Sequence, residues 1–228
     1  MWRGKDSHMI CLIGRILTSA IHNLFSIQPD ILTNTLQTGM TEWNLGHHLA
    51  NEIAKYIFWL NHDLDVTKRN YENRRPDIIF HKRGINVLNY LVIEIKRTGS
   101  INDDIRKIRE GWMSSDLHYR FGASVVIKSA DNFRVKVFEK GKSQTQLKFD
   151  YKTPAINCPS PDGTLRRQLY DYVSQIYACE KMKIESSVMQ RHSSTADTSA
   201  LERQIDEMAY KLYNLTQEEI IVVENSTK

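Results

Sequence analysis

The chain has 228 residues, 41% of them hydrophobic and 25% charged, a length and balance that suit one ordinary globular domain with an appendage. Lys and Arg number 31 against 27 acids, and the resulting +4 permits a nucleic-acid partner without demanding one. Cys11, Cys158 and Cys179 are odd in number and far apart, which excludes a disulfide framework or a zinc ligand set and suits a reducing cytoplasm.

Arg3 and Lys5 precede an apolar stretch from Met9 to Leu17 that is followed by Thr18, Ser19 and Ala20, a faint signal-peptide pattern. Arg15 interrupts the stretch, however, and Ile13, Ile16, Leu17, Ile21 and Leu24 recur at helical spacing. An amphipathic helix is therefore expected from about Ile10 to Ser26, with no run approaching the roughly 18 apolar residues of a membrane span. Residues 28–40, with Pro29 and Gly39, read as a loop. Thr41 then serves as an N-cap for a long helix with Leu45, Leu49, Ile53, Tyr56 and Leu60 on its apolar face and Glu42 in its first turn. His47 and His48 read as surface or backbone-binding residues rather than ligands.

A short polar strand is expected over Asp65–Tyr71. Two further strands, Asp77–His81 and Asn89–Arg97, meet at a turn region containing Gly84 and Asn86, the pattern of an antiparallel hairpin. Pro76 biases Arg75 toward extended backbone and lets Asp77 open the first strand. Side chains alternate along the second strand, so Val92, Glu94 and Lys96 share one face and Leu91, Ile93 and Ile95 the other. Glu94 and Lys96 then lie about 6–7 Å apart, with Asp77 placed opposite. Buried charges are costly unless paired or bound to metal. Either Glu94 and Lys96 form a structural ion pair on an exposed face, or two carboxylates and a lysine surround a cation; only the second gives Asp77 a role.

Ser100-Ile101-Asn102-Asp103 reads as a capping box. The helix after it has Ile101, Ile105, Ile108 and Trp112 on one face, and Asp104, Arg106, Lys107 and Arg109 on the other. That charged face reads as solvated or, with Lys107 as its best candidate, as a second layer around the site. Strands follow at Ala123–Ile127 and Phe133–Phe138. The order is helix, three strands, helix, two strands. From Gly141 onward Pro154, Pro159, Pro161 and Gly163 punctuate the chain. Leu165, Leu169, Tyr172, Val173 and Ile176 build a helix, 192–199 a hinge, and Leu201, Ile205, Met208 and Leu212 a last helix. Thr216 to Glu219 forms another capping box. These features divide the chain into an N-terminal helix and loop (1–40), a main domain (41–150) and a linker with C-terminal helices (151–228).

Pro76-Asp77, followed after a short hairpin by Glu94-Ile95-Lys96, resembles the PD-(D/E)xK nuclease superfamily, over about residues 41 to 140. The resemblance implies an α+β restriction-endonuclease-like core, in which the element order above is the superfamily's own, and a Mg²⁺-dependent deoxyribonuclease in which Mn²⁺ can substitute. It implies Asp77, Glu94 and the carbonyl of Ile95 as metal ligands and Lys96 as the group that holds water or transition-state charge. The first core helix would add an acid, Glu42 or its rival Glu52; Glu42 also reads as an ordinary first-turn glutamate favoured by the helix dipole. Arg74, Arg75, Lys82, Arg83 and Arg97 lie near the motif in sequence as phosphate-gripping candidates beside Lys107. The tail from Leu201 looks like the ending of many restriction–modification methyltransferases. It implies a restriction–modification partner or a homo-oligomer, and reads equally as a plain helical packing element. A non-catalytic DNA-binding subunit and an assembly module are the alternative readings.

Overall fold

The apolar stripe near the N-terminus folds as helix α1 (His8–Ile27), and its Ile13, Ile16, Leu17, Ile21 and Leu24 are all buried. In the computed structural model, which describes residues 8–36, 41–65, 74–114, 116–141, 146–158, 167, 170–171 and 173–178, α1 packs on a second helix and on two strands of the sheet. The expectation that no run approaches a membrane span needs correction. Met9–Ile27, 19 residues of mean hydropathy 1.5, is long and apolar enough to cross one, and 61% of it is buried inside the fold. Arg15 and the polar residues Thr18, Ser19, His22, Asn23 and Ser26 do not lower its mean enough to matter.

A short helix, α2 (Ile31–Leu36), lies within the stretch expected as loop, and α3 (Thr41–Ala54) follows. Helix α3 ends one and a half turns earlier than its apolar spacing suggests. Tyr56, Ile57 and Leu60 stay buried, but on turns: the Ile53 carbonyl accepts N–H groups from both Tyr56 and Ile57, the shared bond of a helix terminus. The first strand, β1 (Asn61–Leu64), therefore begins earlier than expected. It is a half-buried edge strand carrying His62 and Asp63, so no apolar alternation marks it. Residues 66–71 of the expected strand lie outside the described residues.

Strands β2 (Ile78–His81), β3 (Asn89–Lys96), β4 (Phe121–Ser129), β5 (Asn132–Glu139) and β6 (Gln146–Asp150) complete a six-stranded mixed sheet in sequence order. All neighbours are antiparallel except β3 and β4, which run parallel and are joined by helix α4 (Asn102–Arg106) and a π-helical turn (Lys107–Trp112). Parallel neighbours need such a crossover. Alternate residues Ile78, Leu91, Ile93, Ala123, Val125, Val135 and Phe149 pack with α1 and α3 on one face. Ile79, Val92 and Phe138 pack with Ile108, Trp112 and Met113 of the crossover on the other. The fold is α+β in three layers, and the alternation of β3 places Glu94 on the crossover side.

The capping box before α4 is not formed as read: Ile101 holds the cap position without a side-chain bond, and Ser100 Oγ accepts the Asn102 N–H at 3.3 Å. Strand β6 was not expected, since its Gln146 and Lys148 mask a short edge pattern. After β6 the chain returns to the same core: Ile156 N–H donates to Ser19 Oγ at 2.8 Å, and Val173 and Ile176 are buried. Leu165, Leu169, Tyr172, Cys179, the hinge and the last helices lie outside the described residues.

Helix α1 meets β6 through Gly14, where a Cβ would fall 2.1 Å from the Phe149 ring. Alanine gains about 1 kcal/mol of helix propensity, but the ring has to move in a packed layer, at a cost of about 1–3 kcal/mol. Gly14→Ala is expected to lower the urea midpoint, and Phe149→Leu in the same chain to recover part of the loss.

Candidate functional site

The register of β2 on β3 pairs Ile79 with Val92 and Ile78 with Ile93. One step further, the same antiparallel register sets Asp77 across from Glu94, at the point where β2 begins and β3 runs on past it, paired only with β4. The ladder's last N–H on that side, from Ile95, is taken by the Asp77 carboxylate: Oδ2 accepts it at 2.6 Å. Two residues on, the Arg97 N–H donates to Glu42 Oε1 at 3.2 Å. Within a strand the N–H and C=O of one residue point to the same side, so the Ile95 carbonyl faces the gap between Asp77 and Glu42. The three groups expected to bind metal, and the helix acid, thus converge on one strand end. Glu52 does not join them. It is held by Lys55 at 2.6 Å near the other end of α3, beside Tyr56 and Cys158.

Glu94 is 4% exposed, and its Oε1 accepts the Trp112 indole N–H at 2.7 Å. Burial, and then the nearby Asp77 charge, push its carboxyl up to about 7. Asp77 is also raised, chiefly by burial, against the lowering effect of its bond from Ile95. Both are held in an environment that a bound cation would relieve.

Asp104 corrects the reading of α4. It is 2% exposed and faces the sheet, with Lys96 Nζ 3.0 Å from Oδ2 and Lys107 Nζ 3.7 Å from Oδ1. Steps of four along an α-helix drift by about 40°, so Asp104, Ile108 and Trp112 form one stripe, and the i→i+5 turn through Ile108 and Met113 takes up the drift. That spacing was the available signal; treating a charged residue as surface hid it. Lys96, whose ammonium also donates to the Ser100 carbonyl at 3.0 Å, is anchored by Asp104 rather than lying across Glu94.

The other basic candidates separate. Lys107 sits at the site through Asp104, and Arg74 and Arg75 are exposed just ahead of Asp77, with Arg75 bound to Asp65 at 3.2 Å. Lys82 and Arg83 are not brought to the site. They occupy the opposite end of the hairpin, about 15–20 Å away at 3.3 Å per residue; Lys82 lies over Tyr177 and Arg83 pairs with Asp63. Arg97 falls on the other sheet face by alternation, and its Nε and Nη1 are closed off from solvent with no acceptor among the described residues. His47 stacks on Trp43 and His48 Nδ1 meets Gln28, consistent with surface roles.

The oxygens of Asp77, Glu94 and the Ile95 carbonyl are the donors that a hard divalent ion takes, with water for the rest. Among the described residues no three His, Cys, Asp or Glu side chains are grouped closely enough to hold an ion alone, so the backbone carbonyl is a necessary part of such a set. No family model, curated protein or solved structure matches the chain.

The raised Glu94 carboxyl makes the metal-free fold pH-sensitive. Below about pH 4.5 it is protonated in both folded and unfolded chains; above that the folded chain alone keeps the proton until about pH 7. Stability therefore falls as pH rises through this window, by roughly 3 kcal/mol from this group. Asp77 acts in the same direction and the lowered pKa of His62 in the opposite one. Denaturation of wild type and Glu94→Gln at pH 5 and 8, without metal, is expected to show the larger acid-side gain in wild type.

Proposed function

We propose that the protein is a metal-dependent DNA nuclease with a restriction-endonuclease-like core. The observation that carries the reading is the register that sets Asp77 against Glu94 at an open strand end, with the Ile95 carbonyl directed between Asp77 and Glu42. An antiparallel three-strand meander, a helical crossover and a strand parallel to the third accord with it. A Mg²⁺ or Mn²⁺ ion held there would offset phosphate charge and activate water. The chain's own residues have separate tasks. Asp77 and Glu94 bind the ion, Trp112 fixes the Glu94 carboxylate, and Asp104 with the Ser100 carbonyl holds the Lys96 ammonium in place for the developing phosphate charge. A restriction or repair setting and a partner or second copy bound through the C-terminal helices rest on the sequence resemblance alone, and a cytoplasmic location on the cysteine pattern.

A second reading, a DNA-binding subunit without activity, draws on the commitment of Asp77 Oδ2 to an amide and Glu94 Oε1 to an indole. It requires those bonds to persist when metal is offered.

Linear, branched and single-stranded DNA incubated with magnesium or manganese tests the first reading. Cleavage is expected in wild type, to be lost in Glu94→Gln and Asp77→Asn, and to be weakened by Glu42→Gln but not by Glu52→Gln. No cleavage of any substrate would favour the second reading. Lys96→Met is expected to slow cleavage by on the order of 100-fold, the scale of one lost preorganised donor. Calcium affinity by isothermal titration should stay close to wild type; loss of calcium binding would contradict that role for Lys96.

A further inference from the structure

The sheet face that carries Glu94 has a second charged feature. Its register forms a straight row across the strands: Glu94 on β3 pairs with Ser124 on β4, Ser124 with Lys136 on β5, and Lys136 with Lys148 on β6. Strands lie about 4.8 Å apart, so the two lysines stand about 10 and 15 Å from Glu94 along that row. The next row runs from Lys96 through Val126 to Arg134. Alternate residues Ala123, Val125, Val135, Val137 and Phe149 belong to the α1 side of the core, which places Ser124, Arg134, Lys136 and Lys148 on the crossover side.

The crossover covers this face over Ile79, Val92 and Phe138 and caps Glu94 through Trp112, Ser124 beside it is also buried, and the face opens from Lys136 outward. Beyond it lies an open concavity of about 560 Å³, lined by Ser124, Lys128, Arg134, Lys136, Lys148 and Asp150 among others. Four cations face a single acid. Lys136 and Lys148 are direct cross-strand partners, and like charges so placed destabilise a sheet. Burial, and then Lys148, Arg134 and Arg109, push the Lys136 ammonium below its ordinary value. The fold keeps a repulsive pair that an anion would relieve.

We propose that this trough on β4–β6 binds the phosphodiester backbone of a DNA strand and leads it to the Asp77–Glu94 centre; the proposal rests on the nuclease reading and names its substrate path. A single small anion would bridge Lys136 and Lys148 and leave the Arg134 row unmet. A chain of regularly repeated negative charge meets both rows and, since the lining continues through Thr98 and Ser100, runs toward the Lys96 ammonium that the Ser100 carbonyl holds. Contacts of this kind position a backbone without reading its bases. The trough also supplies the phosphate contacts that Lys82 and Arg83, at the distant hairpin end, do not.

The test is the double variant Lys136→Ala/Lys148→Ala, with Lys82→Ala as the reference. Anisotropy of labelled single- and double-stranded DNA is followed across a salt series with calcium present. The double variant is expected to bind DNA about tenfold or more weakly at low salt, and its slope of log K against log salt to shrink by about two. Its thermal stability should equal or exceed wild type, since the repulsion is gone, and Lys82→Ala should bind as wild type. Wild-type affinity and slope in the double variant, or no DNA binding by the wild type, overturns the trough. Lost binding in a protein that cleaves nothing keeps the trough and removes the nuclease reading; undiminished cleavage by the double variant does the reverse.

Discussion

Antiparallel pairing of β2 with β3, and the point at which it stops, fixes the geometry on which the rest depends. Because side chains alternate strictly, a slip of one residue would move Glu94 to the α1 face and Asp77 out of its row. The register is held by apolar residues on both faces: Ile78, Leu91 and Ile93 against the helices, Ile79 and Val92 against the crossover. Pro76 has no N–H to extend the ladder. The Ile95 N–H beyond it is satisfied by a side chain, Asp77, instead of by a strand. An ending of the ladder thus becomes a place where carboxylates and a carbonyl meet.

Such a cluster is expensive in an unliganded protein, and the surrounding contacts show how the expense is limited. Each of these acids has a partner: Asp77 accepts an amide N–H, Glu94 an indole N–H, and Asp104 is ion-paired with two ammonium groups. Unpaired buried charges would cost far more. The π-helical turn keeps Asp104 and Trp112 on the sheet side together, and Gly122 lets it approach β4, since a Cβ there would fall 2.2 Å from Ile108. Rare π turns recur at functional sites because they re-aim side chains.

The strands that carry Asp77, Glu94 and Lys96 were legible because apolar runs and period-two alternation are local signals. Glu42 was legible as a first-turn acid at the start of a periodic helix. Other features depended on tertiary contacts with no local signature. Helix α3 ends at Ala54 although its apolar spacing continues. Strands β1 and β6 are edge strands with polar faces, and Asp104 is buried because Lys96 and Lys107 reach it from two elements. Lys82 and Arg83 were near the motif in sequence but lie a strand length away in space. The Glu94–Ser124–Lys136–Lys148 row exists only once four strands are in register.

The most direct measurement is anomalous diffraction from crystals of the wild-type protein soaked in manganese. The account predicts one peak bounded by carboxylate oxygens of Asp77 and Glu94 and by the Ile95 carbonyl, at distances near 2.2 Å. A strand end that stays without a peak while manganese binds elsewhere, or Asp77 Oδ2 still bonded to the Ile95 amide at full occupancy of another site, would contradict it.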